Sequence, residues 1–196
     1  CYAYRFESIE AQADTIKLLM DKALKAKPEE KSKLERKFFC AFPNSYVSMD
    51  SLFGFNKKAG PLYHSETPNH LQFYGNMSSY IDFFSHLTSV PSEEYYKKYV
   101  SICIDGYWQA DNIRVAFGFG LHLLNNSKPA CEALSIRSDS EIKSVFRFIF
   151  DGPHPNHDTN KEFYQKLQPV VSEENERLSQ LLTEAYQKLM SENHEH

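Results

Sequence analysis

Glycine is scarce in this chain: seven residues in 196, too few for the many tight turns of a β-barrel or β-sandwich. Long apolar runs are missing, and no stretch approaches the roughly 18 residues that a membrane span needs. Excess positive charge is missing as well. The formal net charge is −4, which gives no electrostatic reason to expect nucleic acid as a partner. There is no Gly-x-Ser-x-Gly nucleophile elbow, no helical zinc signature and no phosphate loop after a strand. No repeat of fixed period recurs, which argues against a solenoid. Tryptophan occurs once, whereas Phe and Tyr occur 15 and 12 times. The chain is rich in rings but poor in turns.

What is present is helical periodicity. Residues 8–26 place Ile9, Ala13, Ile16, Leu19, Met20, Ala23 and Leu24 at three- and four-residue spacing. Pro28, tolerated at a helix start, opens a second helix with Glu29 and Glu30 at its positive end. The lysines between Lys22 and Lys37 alternate with Asp21, Glu29, Glu30 and Glu35, the pattern of a solvated helical face. Ser48 is placed as the cap of a short helix over MDSLFGF, and residues 57–69 read as a loop. Asn76 caps a further helix through Leu87. A helix from Ser92 carries Tyr95, Tyr96, Tyr99, Val100, Ile102 and Cys103 over more than one face, so it is expected to be buried on several sides. Another runs from about Tyr107 or Asp111 to Leu124, where Gly118 and Gly120 are expected to admit a neighbouring helix closely. A short helix covers residues 128–137. Ser138 or Asp139, with Glu141 near the third helical position, opens the next. It runs through Ile142, Val145, Phe146, Ile149 and Phe150 to a stop at Asp151-Gly152-Pro153, with Gly152 expected in a left-handed conformation. Thr159 or Asn160 caps a helix that ends before Pro169, and the last helix spans Ser172 to about Met190. The expectation is an all-α fold: an irregular multi-helix bundle of about eight helices in one domain over 8–190, after an N-terminal tether (1–7) and before a disordered tail (191–196).

Two groups of residues invite chemistry. Asp151, His154, His157 and Asp158 put carboxylate and imidazole groups within one short loop, the ligand types of zinc and other divalent ions. No helix aligns the two histidines, however, and helix-stop chemistry accounts for the same residues. Asp105 and Asp111 flank Trp108 in DGYWQAD, the composition of an acidic and aromatic recognition patch. His122 lies in an apolar helix and reads as a core or interface histidine. A Cys–His pair would need Cys103 or Cys131 to meet His86 or His122 in space. Cys40, Cys103 and Cys131 either supply one disulfide or remain buried thiols, and their odd number leaves the pair open. No catalytic residue and no cofactor is expected.

The chain begins at Cys1, the end that a bacterial lipoprotein carries after signal-peptide removal, where the cysteine is the acylation point. A helical body behind such a cysteine, without a catalytic signature, resembles the envelope-anchored lipoproteins that act as immunity proteins to secreted toxins, those of type VI secretion among them. The resemblance implies a non-enzymatic inhibitor on the periplasmic side of the cell envelope. It would touch the membrane only through a lipid on Cys1 and would have a secreted toxin or effector as its protein partner. It further implies aromatic anchors under a polar rim: Tyr107 and Trp108, with Tyr63, His64 and His70 of the 63–70 loop, and Asp105 and Asp111 for charge. The alternative is a metal- or carboxylate-dependent envelope hydrolase using the 151–158 loop.

Overall fold

The computed structural model describes residues 4–56, 58–63, 79–108, 115–152 and 154–192. The fold is all-α, as the periodicity predicts. Ten helices lie among the described residues, together with one antiparallel pairing of two-residue strands. The count exceeds the expected total of about eight, although each of the ten falls on a stretch that the sequence marks as helical, the two shortest having 8 and 7 residues. The described residues pack as two compact units, one ending at Pro91 and the other beginning at Ser92. Each has its own core.

The first unit opens with α1 (Ile9–Lys25), whose N-cap Ser8 accepts the Ala11 amide at 3.1 Å. Its apolar stripe buries Ala13, Ile16, Leu19, Met20 and Ala23, while Leu24 is left exposed at the edge. Helix α2 (Pro28–Ala41) starts on Pro28 and packs back along α1. The Gln12 side chain donates to the Ala41 carbonyl at 2.9 Å, fixing the start of α1 beside the end of α2. The charged face of α2 hides one exception to its solvated pattern. Glu35 is only 4% exposed; Ser89 donates to it at 2.6 Å and the Lys31 ammonium lies 3.8 Å away.

Helix α3 (Tyr46–Phe53) is capped by Ser45 and not by Ser48, whose own amide donates to the Ser45 hydroxyl. The helix therefore starts one turn earlier than the sequence suggests, which buries Tyr46 and Met49. Strands β1 (Phe55–Asn56) and β2 (Lys58–Ala59) then reverse the chain. Gly60 crosses the end of α3 so closely that a Cβ would stand 2.5 Å from the Leu52 carbonyl oxygen. Helix α4 (Ser79–Ser85) completes the unit; the Asn76 cap assigned to it lies outside the described residues. The core is a ring stack, with Phe42 and Phe84 face to face at 4.4 Å and Phe38 edge-on to Phe83 at 4.8 Å.

The second unit comprises α5 (Ser92–Cys103), α6 (Val115–Asn125), α7 (Ser127–Ser135), α8 (Asp139–Phe150), α9 (Asp158–Glu174) and α10 (Glu176–Ser191). Helix α8 has the capping box read from its sequence, with Ser138 and Glu141 bonded reciprocally. It packs against α10, α6 and α5. Its exit differs from expectation. Asp151 is extended at φ −69° and ψ 140°, and Gly152 does not adopt the left-handed conformation. Helix α9 is capped by His157, not by Thr159 or Asn160, and it passes through Pro169 without stopping. The carbonyl that proline leaves without a donor belongs to Gln165, on the exposed side, where water can take it. Buried Leu167 and Val171 on either side hold the turn in place. Asn175 therefore ends α9 and caps α10 through the Leu178 amide at 3.1 Å, so the last helix begins at Glu176 instead of Ser172. Arg177 ties the start of α10 to the α7–α8 turn through Asp139, the Ser135 carbonyl and the Arg137 carbonyl.

Gly120 admits its neighbours as expected: a Cβ there would meet Ile149 of α8 and Phe163 of α9, both at 3.0 Å. Replacing it with valine should cost about 1–3 kcal/mol by overpacking. A urea midpoint unchanged from wild type would contradict this close packing.

Asp82 offers a second test. It is 3% exposed, and its Oδ1 has no hydrogen-bond partner among the described residues. Burial raises its carboxyl from the ordinary 3.8 to about 6, against the opposing pull of His86, whose Nδ1 lies 3.6 Å away. Because the folded state holds this proton more tightly, the stabilisation is complete below pH 3.8 and is lost as pH rises through 6. Asp82→Asn should be more stable than wild type at pH 8 by about 1 kcal/mol, after allowance for solvent screening, and the gap should close by pH 4. Denaturation curves whose gap does not change with pH would refute the assignment.

Candidate functional site

The DGYW corner is built where α5 stops. The Ile104 amide still reaches the Val100 carbonyl at 3.1 Å. Asp105 then turns left-handed at φ 56°, a conformation that the short polar side chain of Asp tolerates better than most. The Gly106 amide closes the turn on the Cys103 carbonyl at 3.2 Å. Both sides of the corner are then tied to α8. The Asp105 amide donates to the Ser144 hydroxyl at 3.1 Å, and Ser144 in turn donates to the Glu141 carbonyl. Three residues on, the Trp108 amide donates to Asp151 Oδ2 at 2.8 Å. Between these two ties Tyr107 stands 47% exposed. Asp105 is exposed beside it, and Trp108 is half-buried.

The residues placed together by the sequence fall differently in space. Asp105, Tyr107 and Trp108 form one segment of the second unit. Tyr63 belongs to the first, half-buried, with its amide on the Gly60 carbonyl at 3.0 Å. His64, His70, Asp111 and Cys1 lie outside the described residues.

The 151–158 loop is occupied by structural bonds. Asp151 spends a carboxylate oxygen on the Trp108 amide, 43 residues away, instead of on amides of its own turn. His157 Nδ1 accepts the Thr159 amide at 3.3 Å as the cap of α9, and His154 and Asp158 are exposed. Asn160, which the sequence reading used only as a possible cap, clamps the loop through the Phe150 carbonyl at 2.7 Å and the Pro155 carbonyl at 2.9 Å. Among the described residues no three His, Cys, Asp or Glu side chains are grouped as metal ligands.

The cysteine and histidine candidates do not pair either. His122 is held between two phenols, with Tyr95 on Nε2 at 3.2 Å and Tyr96 on Nδ1 at 3.0 Å. Tyr99 meets it edge-on. This half-buried histidine, with both ring nitrogens used, sits among aromatic side chains as anticipated from its apolar helix. Burial pushes the Cys103 thiol well above its usual range, and burial with the nearby Glu174 pushes Cys131 up to about 12. Neither is a thiolate nucleophile at neutral pH. Both thiols are free and buried, whereas Cys40 is disulfide-bonded.

What sequence reasoning missed was the pair of ties to α8. Ser144 and Asp151 carried no long-range signal, because a hydrogen bond to a backbone amide leaves no pattern in residue type. Comparison with protein-family models, curated proteins and solved structures gives no match.

The chain has a single tryptophan, so its fluorescence reports on this corner alone. Asp151→Ala leaves the Trp108 amide without its charged acceptor, a loss of about 1–2 kcal/mol. The emission should shift to longer wavelength as Trp108 gains water. An unshifted spectrum with unchanged stability would show that the tie does not hold the corner.

Proposed function

We propose that this chain is a non-enzymatic binding protein that neutralises a secreted toxin or effector in the bacterial cell envelope, in the manner of type VI immunity proteins. The observation that carries the reading is Tyr107, half-exposed on a backbone fixed on both sides by α8. Interface energy concentrates in a few aromatic anchors, and an anchor whose backbone is already ordered loses less entropy when it docks. Asp105 beside it adds negative charge that favours a basic partner surface and speeds encounter. The disulfide at Cys40 supports an oxidising compartment, since such bonds persist there and are rare in the cytosol of mesophiles.

Immobilised wild-type protein should capture a secreted toxin from the culture of the organism that makes both. Tyr107→Ala should bind the recovered toxin at least about tenfold more weakly, a difference of roughly 1.4 kcal/mol, with the melting temperature unchanged. Recovery of no secreted toxin, or equal affinity of the two proteins, would contradict the proposal.

A further inference from the structure

We propose that the groove between α5 and α7 is a docking site for a basic amphipathic helix of a protein partner, which lays its apolar face on Ala133 and Ile136 and sets a lysine or arginine on Glu132. The groove holds about 480 Å³ and is lined from α5 by Glu93 and Lys97 and from α7 by Pro129, Glu132 and Ala133, with Ile136 at the C-cap. All of these residues belong to the second unit. The site goes beyond the reading of Tyr107, which lies past the opposite end of α5.

The shape of the groove favours a helix. Helices α5 and α7 pack on each other, and the Arg137 guanidinium donates to the Ser101 hydroxyl at 2.8 Å just beyond the lining residues. On both helices the lining precedes this tie, so the two run side by side in the same sense. From Glu93 to Ser101 an α-helix advances about 12 Å, room for roughly two turns of a third helix laid between the pair. The floor is low, with Ala133 buried and Pro129 half-buried, so a partner's backbone can come close. Ile136 stands 68% exposed at one end. A lone exposed isoleucine carries no message. One beside a concave surface of small side chains offers an apolar wall against which a helix face can seat.

Charge selects the sign of the occupant. The Lys97 ammonium is bonded to Glu93, four residues before it, at 2.5 Å. The Glu132 side chain is exposed and makes no hydrogen bond or ion pair among the described residues. The lining therefore carries one unbalanced carboxylate set beside apolar surface, and a cationic side chain on the partner balances it. An exposed pair of this kind contributes little energy. It fixes orientation and speeds encounter, while the apolar contact supplies the affinity. A second copy of this chain is a poorer occupant, because a two-fold contact over the same surface would bring two unbalanced carboxylates into one interface.

The test is a titration of the full chain with a synthetic leucine–lysine peptide, leucines on one helical face, of about 18 residues, above the marginal length for an isolated helix. Amide shifts in a proton–nitrogen correlation spectrum should be confined to α5, α7 and Ile136. Glu132→Lys and Ile136→Asp, both at exposed positions, should keep the wild-type melting temperature. They should bind at least about threefold and about tenfold more weakly, respectively. Tyr107→Ala should bind the peptide as wild type does, which separates this site from the proposed toxin anchor. Equal binding by either groove variant, equal binding of a peptide with glutamate for lysine or of a proline-broken copy, or shifts centred elsewhere would each overturn the proposal. So would a wild-type dimer in sedimentation that Ile136→Asp dissociates, because the groove would then be filled by a second copy.

Discussion

The burial of α8 governs the second unit. Ile142, Val145, Phe146, Phe148, Ile149 and Phe150 are all at most 4% exposed, so the helix must be covered on most of its circumference. That demand is met by α10 along one side and by α6, whose Gly120 lets backbone come close enough for Ile149 and Phe163 to pack on it. Removing so many large apolar side chains from water supplies on the order of 1.5–3 kcal/mol each, which outweighs the penalty of Pro169 within α9. The polar residues of α8 then make its connections, Ser144, Lys143 and Arg147 within the helix as well as those at its two ends. Ser138 and Glu141 close the first turn, and Asp151 reaches out from the last to the Trp108 amide.

The candidate surface follows from this arrangement. A segment leaving α5 through a left-handed aspartate would be an ordinary mobile loop if nothing received its amides. Here Ser144 and Asp151 receive two of them, one on each side of Tyr107. The same carboxylate that looked like a metal ligand is thereby committed to holding backbone, and the histidines beside it are a helix cap and an exposed side chain. One set of residues thus weakens the hydrolase alternative and strengthens the binding reading.

Much of the fold is legible in the residues, because helix starts and apolar stripes are local. Pro28 and the Ser138–Glu141 box open the helices expected of them, and the stripe of α8, with that of α1 apart from Ile9 and Leu24, is buried as its spacing requires. The local signals fail where two chemistries compete for one position. Ser45 and Ser48 are equally good caps, and only the burial of Tyr46 and Met49 decides between them. Pro169 is a helix breaker by type, yet on an exposed face its lost hydrogen bond is cheap. The candidate site is less legible than the fold. Its side chains are visible as a composition, but its rigidity rests on partners 39 and 43 residues away, a separation that no short motif encodes.

Amide hydrogen exchange at Trp108 tests the central claim, that the corner is held ready and not formed on contact. In the wild-type protein without partner, the Trp108 amide should exchange at least about a hundredfold more slowly than an unstructured peptide, as its bond to Asp151 requires. It should lose that protection in Asp151→Ala while the amides of α8 keep theirs. Exchange at the unstructured rate in the wild type would contradict the account.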